Sequence, residues 1–341
     1  MPAHPWRPRG ALRGSAVTAR AILLPVLTTL VVFVLGLATL LTAARYFTFS
    51  AERVGLALGM SPFAIGVLIV SAGTSLPELV SSVIAGTRGS PQIVVGNVLG
   101  ANLSNLLLVT GAVAVVAGRQ IRLGEQYILI DLHFLLGSAL LLAMSLRDAG
   151  VSRVEGGFLL VAYVVYLLYL LKEGRTEKDL TLGLGEEAKQ ARRFPRGDVV
   201  VLVVASAFIY LGARFTIGSL EALALQVGIA PDLIALTLLS LGTTLPELVV
   251  SATAAREGRA DVAVGNVLGS CVFNTLAVTG TASLVGPLVA SDDMMSLPLP
   301  MFGSGALLFY LLTLDKNVSR WEGMLFLLLY GLFITEVARL A

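Results

Sequence analysis

The chain has 341 residues, 56% of them hydrophobic and only 13% charged, with a formal net charge of +2 and a mean hydropathy of +0.87. A soluble domain carries about a quarter charged residues, so this composition excludes an ordinary water-soluble fold; the apolar runs do not alternate with period two, which excludes a membrane β-barrel. A single cysteine, Cys271, excludes an intrachain disulfide framework, the two histidines His4 and His133 exclude a histidine-rich metal site, and no nucleic-acid motif or long basic run is present.

The apolar runs approach the ~20 residues that span a bilayer as a helix. Ten such spans are predicted, at 21–44, 60–86, 91–117, 127–146, 153–171, 198–226, 231–255, 260–285, 296–314 and 321–340. The first follows Arg7, Arg9, Arg13 and Arg20 in the manner of a secretory leader. Its apolar run is well beyond the ~7–15 residues of a leader core, so it is read as a true helix. Most connections are short. The exception is KEGRTEKDLTLGLGEEAKQARRFPRG at 172–197, a charged linker that divides five spans from five. Three units follow: a first five-helix repeat at 21–171, the linker at 172–197, and a second five-helix repeat at 198–340. Nine lysines and arginines fall on the side of the two termini and fifteen on the side of the linker, seven of them within it. By the positive-inside rule the linker is cytoplasmic.

GTSLPELVSS at 73–82 returns as GTTLPELVVS at 242–251. Shifted by 169 positions, the stretch 71–111 lies on 240–280 without a gap and 22 of the 41 positions are identical, including the VGNVLG run and the closing VTG. Such identity marks an internal duplication. Because each half holds five spans, an odd number, the halves are expected to sit in opposite orientations. The fold class is therefore an all-α polytopic membrane protein of about ten transmembrane helices in two inverted-topology five-helix repeats, an arrangement common in transporters whose site lies near the midplane.

Each block carries a glutamate, Glu78 or Glu247, well inside its span. An acid at the bilayer centre costs about 2.5–3.5 kcal/mol even on the lenient insertion scale, and is a functional-site hypothesis by default. The competing account, a carboxylate satisfied by hydroxyls or an arginine, does not explain why the acid occurs twice. Pro77 and Pro246 have no N–H, so the carbonyls of Gly73 and Gly242 lose their helical donors and a kink is expected at both places. Carbonyls near 71–73 and 240–242, those of Ser71 and Ser240 included, would then face a cavity. A plain kink, common in membrane helices, is the alternative. Helical spacing places Thr74 and Ser75 on one face with Glu78, and Thr243 and Thr244 on one face with Glu247. The result is an all-oxygen set suited to Ca²⁺ or Na⁺ and poorly suited to soft metals.

Asn105 and Asn274 each lie 27 residues after their glutamate. Gly96-xxx-Gly100 and Gly265-xxx-Gly269 are expected to allow close helix approach, and the neighbouring Asn97 and Asn266 to hydrogen-bond at a helix end or between helices rather than to ions. Asp131, His133 and Glu336 read as interfacial residues and Cys271 as a small packing residue.

GTSLPEL with GNVLGANLSN, and GTTLPEL with GNVLGSCVFN, resemble the two α-repeats of the calcium/cation antiporter superfamily, prokaryotic sodium/calcium exchanger branch. The resemblance implies a calcium site between Glu78, Glu247, Thr74 and Thr243, with carbonyl help. It also implies flanking sodium sites using Ser75, Thr244 and Ser270, and the first and sixth helices sliding across an eight-helix core. Two departures stand out. Asn274 occupies a place where relatives often have an aspartate, which leaves two strong acids and makes potassium co-transport unexpected. Ala101 lacks the hydroxyl that Ser270 retains.

The expected activity is secondary active antiport of calcium against sodium, with Ca²⁺ and Na⁺ as transported ions, no cofactor, and no obligatory protein partner besides the lipid bilayer. The setting is expected to be a prokaryotic plasma membrane. The alternative is calcium/proton, or other divalent cation, antiport on the same scaffold. A channel or sensor has no need of matched inverted acids, and no nucleophile–base pair or phosphate loop points to an enzyme.

Overall fold

The structure is a computed structural model that describes residues 11–87, 91–118, 120–123, 132–181, 195–226 and 240–340. In chain order the helices are α1 Ala11–Leu58, α2 Pro62–Thr74, α3 Leu76–Thr87, α4 Pro91–Val116, α5 Leu132–Ser145, α6 Arg153–Thr181, α7 Arg196–Gln226, α8 Ser240–Arg256, α9 Ala260–Val285, α10 Asp292–Leu312 and α11 Arg320–Leu340. Seven of them are long and apolar enough to cross a membrane, or eight if the bent pair α2–α3 counts as one. That is fewer than the ten expected spans. Helix nevertheless occurs in every expected stretch. The difference lies in α5, apolar but only 14 residues long, and in α8, whose described part has 17 residues. Much of the fourth and seventh stretches, 127–131 and 231–239, falls outside the described residues.

Boundaries differ from expectation where polar residues continue a helix. The first helix runs past 44 to Leu58, and α6 continues through charged residues to Thr181. α1 stops at Gly59, whose φ of 79° is accessible to glycine without strain. The Met60 N–H closes the end by donating to the Gly55 carbonyl at 2.9 Å. Ser61 then caps α2, accepting from the Ala64 N–H. The starts of α6 and α11 are reciprocal capping boxes, Ser152 with Glu155 and Ser319 with Glu322.

Burial sorts the helices into centre and rim. The most apolar window of α9 is entirely buried and that of α4 is 78% buried, whereas those of α1 and α7 are only 17% and 28% buried. α1 and α7 pack along each other at the rim, closely enough that a Cβ at Gly212 would stand 2.7 Å from the Leu40 amide nitrogen. α9 packs on α2, α8 and α4. The halves interlock through matched contacts. Gly111 of α4 approaches the Gly323 carbonyl and Leu327 of α11, and Gly280 of α9 approaches the Gly156 carbonyl and Leu160 of α6.

Two short antiparallel ribbons repeat this crossing. β1 (Ile121–Arg122) pairs with β4 (Asn317–Val318), and β2 (Gly150–Val151) with β3 (Leu288–Val289). Ile121 and Gly150 correspond to Leu288 and Asn317 at one offset, 167. The same offset relates the two capping boxes, and the two turn residues at positive φ, Ala149 and Lys316.

Candidate functional site

The break between α2 and α3 makes the first wall. Gly66–Val70 within α2 is a π-helical turn, the helix ends at Thr74, and Ser75 takes φ −91°, ψ 5° before α3 resumes. The two pieces are bent by 43°. Pro77 is the cause expected from the sequence: it cannot donate to the Gly73 carbonyl. The second copy behaves differently. α8 runs as one helix from Ser240 to Arg256 with Pro246 inside it, where the first copy is interrupted at Ser75. Helical i→i−4 hydrogen bonds still run through the bend, from Ser75 N–H to the Ser71 carbonyl at 2.9 Å and from Leu79 N–H to the Ser75 carbonyl at 3.2 Å.

The hydroxyls instead reach across to the other half. Ser75 donates to Glu247 Oε1 at 3.1 Å and lies 3.0 Å from the Ser270 hydroxyl. The Thr74 hydroxyl lies 3.2 Å from Asn266 Oδ1 and 3.3 Å from the Ser71 carbonyl, either of which can accept its proton. Ser71 donates to the Val67 carbonyl. All of these groups are buried, Glu78 and Glu247 to 1% exposure, and so is Thr244. Ser240 and Thr243 lie in the first turn of α8, and their side chains are outside the described ones.

Ser75, three residues before Glu78 in the chain, bonds Glu247 of the other half, which brings the two repeated glutamates into one neighbourhood. Among the described residues, neither Glu78 oxygen has a hydrogen-bond partner, nor has Glu247 Oε2. Asn105 and Asn274 sit in matching π-helical turns, Ser104–Val109 and Phe273–Val278. In each, the asparagine carbonyl accepts from a hydroxyl five residues on, Thr110 at 3.2 Å and Thr279 at 3.1 Å. Their side-chain amides are buried and unpartnered among the described residues, as is Asn102 Oδ1. Buried polar atoms are normally paired, so a cluster of them marks a binding or strain site. With carboxylate, hydroxyl and amide oxygens and no group of three or more His, Cys, Asp or Glu among the described residues, the set suits a hard cation in transit.

Close helix approach is found at the second glycine pair. A Cβ at Gly265 would stand 2.5 Å from the Phe63 carbonyl oxygen, and one at Gly269 2.6 Å from Ser71 Oγ. The first pair does not match this: Gly96 meets only the Met294 side chain and Gly100 nothing within 4 Å among the described residues. Of the two roles expected for Asn97 and Asn266, the structure has the inter-helix one, Asn97 bonding Ser82 at 3.5 Å and Asn266 bonding Ser251 at 2.8 Å. Ser82 and Ser251 carry no flag in a single reading, yet the repeat aligns them and could have drawn attention to both. The bond from the Asn102 amide to Thr275 at 2.7 Å and that between Ser104 and Tyr330 at 3.2 Å left no signal in the repeat, because their counterparts differ. Cys271 is fully buried, with its thiol 3.8 Å from the Asn102 carbonyl. His133 is exposed, Glu336 pairs with Arg339, and Asp131 is outside the described residues.

The comparisons with known proteins extend over this whole architecture. Sodium/calcium exchanger MaX1 of Methanosarcina acetivorans is 28% identical over 339 residues, covering 89% of this chain and 96% of the relative. Inner membrane protein YrbG of Escherichia coli is 32% identical over 260 residues, 74% of this chain and 79% of the relative. Among solved structures, the sodium-calcium exchanger NCX_Mj soaked with zero Na⁺ and Ca²⁺ superposes with a TM-score of 0.76 at 28% identity, over 90% of this chain and 98% of that one. The profile of the family described as sodium/calcium exchanger protein matches residues 28–172 and 198–337. The chain belongs to that family, a family of membrane exchangers rather than enzymes.

Proposed function

We propose that the protein exchanges calcium for sodium by alternating access, through a midplane site built by both halves. The observation that carries this reading is the pair Glu78 and Glu247, one from each copy of the repeat, both buried, linked through Ser75, and with three of their four oxygens unpartnered among the described residues. Two carboxylates balance one Ca²⁺, and three Na⁺ would leave a charge of +1; coupling follows when both ions compete for the same acids. In this reading Ca²⁺ lies between Glu78, Glu247, Thr74 and Thr243. Sodium draws on Ser75, Thr244 and Ser270, with the carbonyls of Ser71 and Ser240 and the amides of Asn105 and Asn274 around them.

Ten spans in two inverted halves, 21–171 and 198–340, complete the proposal. The crossed ribbons and the matched contacts of Gly111 with Gly323 and of Gly280 with Gly156 support it, since in these each half answers the other. The membrane is the inner, or plasma, membrane of a prokaryotic cell, with the linker 172–197 in the cytoplasm. MaX1 carries the name of a sodium/calcium exchanger, which favours sodium as the coupling ion. Calcium/proton antiport is the second reading, favoured by one observation: buried Ala101 offers no hydroxyl where Ser270 does.

The test is radiolabelled calcium uptake into proteoliposomes driven by an outward sodium gradient. Glu78→Gln and Glu247→Gln should each reduce it at least about a hundredfold, because each removes one of the two charges that balance the ion. Wild-type rates in either variant would exclude the assigned site.

A further inference from the structure

Thr74 is placed ambiguously for a cation ligand. A hydroxyl has one proton and two lone pairs, and it can serve a cation only if the proton points elsewhere. Two acceptors lie beside this one: the Ser71 carbonyl and Asn266 Oδ1. The Ser71 contact is the longer of the two and runs to a carbonyl three residues back on the same helix, whereas the Asn266 contact crosses to the other half. Asn266 is left as the acceptor that holds the proton away from the ion.

Asn266 is held for this task. It is fully buried, and its amide nitrogen is committed to Ser251 Oγ at 2.8 Å, which leaves the amide oxygen facing Thr74 across the interface between the halves. The close approach of α9 to α2 at Gly265 and Gly269 sets that distance. The first half carries the same pair at the same spacing, Asn97 with Ser82.

We propose that Asn266, oriented by Ser251, is a positioning residue for cation binding: it takes the Thr74 hydroxyl proton and turns the lone pairs of that oxygen toward the bound ion. The inference rests on the calcium-exchange reading above. Asn266 touches no ion itself; it acts through Thr74.

Equilibrium binding of radiolabelled calcium to purified wild-type protein and variants tests it. Asn266→Ala should weaken binding about fivefold, the size of one ordinary hydrogen bond. Ser251→Ala should weaken it in the same direction, although that hydroxyl is bonded to Asn266 and acts only through it. In a double-mutant cycle, Asn266→Ala combined with Thr74→Val should bind no more weakly than Thr74→Val alone, whereas Thr74→Ser, which keeps the hydroxyl, should keep its sensitivity to Asn266→Ala. Additive losses, or unchanged affinity in a variant that melts like wild type, would overturn the inference. If Asn266→Ala does not yield monodisperse protein, the same cycle is run with Ser251→Ala. A wild-type protein that binds no calcium would instead overturn the exchange reading.

Discussion

Glu78 and Glu247 occupy equivalent places in the repeat but not equivalent surroundings. Glu247 receives Ser75 from the other half, while Glu78 has no hydrogen-bond partner among the described residues. Two unscreened carboxylates in one buried space repel each other and lose solvation, so without a cation the site destabilises the fold it belongs to. Glu78→Gln removes one charge and should raise the melting temperature in calcium-free buffer by a few degrees. Added calcium should stabilise wild type, which binds it when folded, and leave the variant nearly unchanged. Thermal unfolding with and without calcium measures both; a variant that melts lower than wild type without calcium would contradict this. At this scale the sequence was highly legible. An acid repeated within an apolar span announces itself, and so do the hydroxyls beside it. What it could not show was which acid each hydroxyl serves, because Ser75 meets Glu247, 172 positions away, only through packing between the halves.

Proline and glycine were read from the same rules in both halves and led to different outcomes. Pro77 follows a π-helical turn and a four-residue helix, and the helix breaks at Ser75; Pro246 sits in a helix that continues. The lost hydrogen bond is the same in both; in the first copy Gly73 leaves room for the Phe47 ring, which a Cβ there would meet at 2.5 Å. The π-helical turns at Asn105 and Asn274 were invisible to a 3.6-residue period. Gly269 sits against the Val67 carbonyl and Ser71 Oγ, so Gly269→Val forces backbone apart beside the site. It should cost about 1–3 kcal/mol or more, as overpacking does, while Gly100→Ala should be nearly silent; melting temperatures compare the two directly. At one end of α1, Arg259 lies 3.0 Å from Glu52 and 5.7 Å from the Phe49 ring centroid, and Arg45 lies 3.4 Å from Glu257. Arg53 adds a contact to Asp198 of α7. This network ties the rim pair to the corner between α8 and α9. Its groups are partly exposed, so Arg259→Ala should lower stability by only about 1 kcal/mol, and the loss should shrink in high salt. Unfolding at two ionic strengths checks it; a loss insensitive to salt would assign the effect to packing.

Across the whole molecule, duplication was the feature that sequence carried best, since 22 identities in 41 aligned positions need no structure to be seen. The number of spans was carried less well. Hydropathy counts apolar length, and α5 is too short to pass that test while α2 and α3 pass it only together. The crossed ribbons were not legible at all, because two-residue strands carry no periodicity. Together the repeat, the interlocked halves and the paired acids lead to one claim, that calcium crosses in exchange for sodium through a shared site. Calcium uptake by wild-type proteoliposomes, with sodium and pH gradients imposed separately, tests it most directly. An outward sodium gradient at equal pH should drive uptake and an outward proton gradient without sodium should not; uptake driven by protons alone, or by neither gradient, would contradict the account.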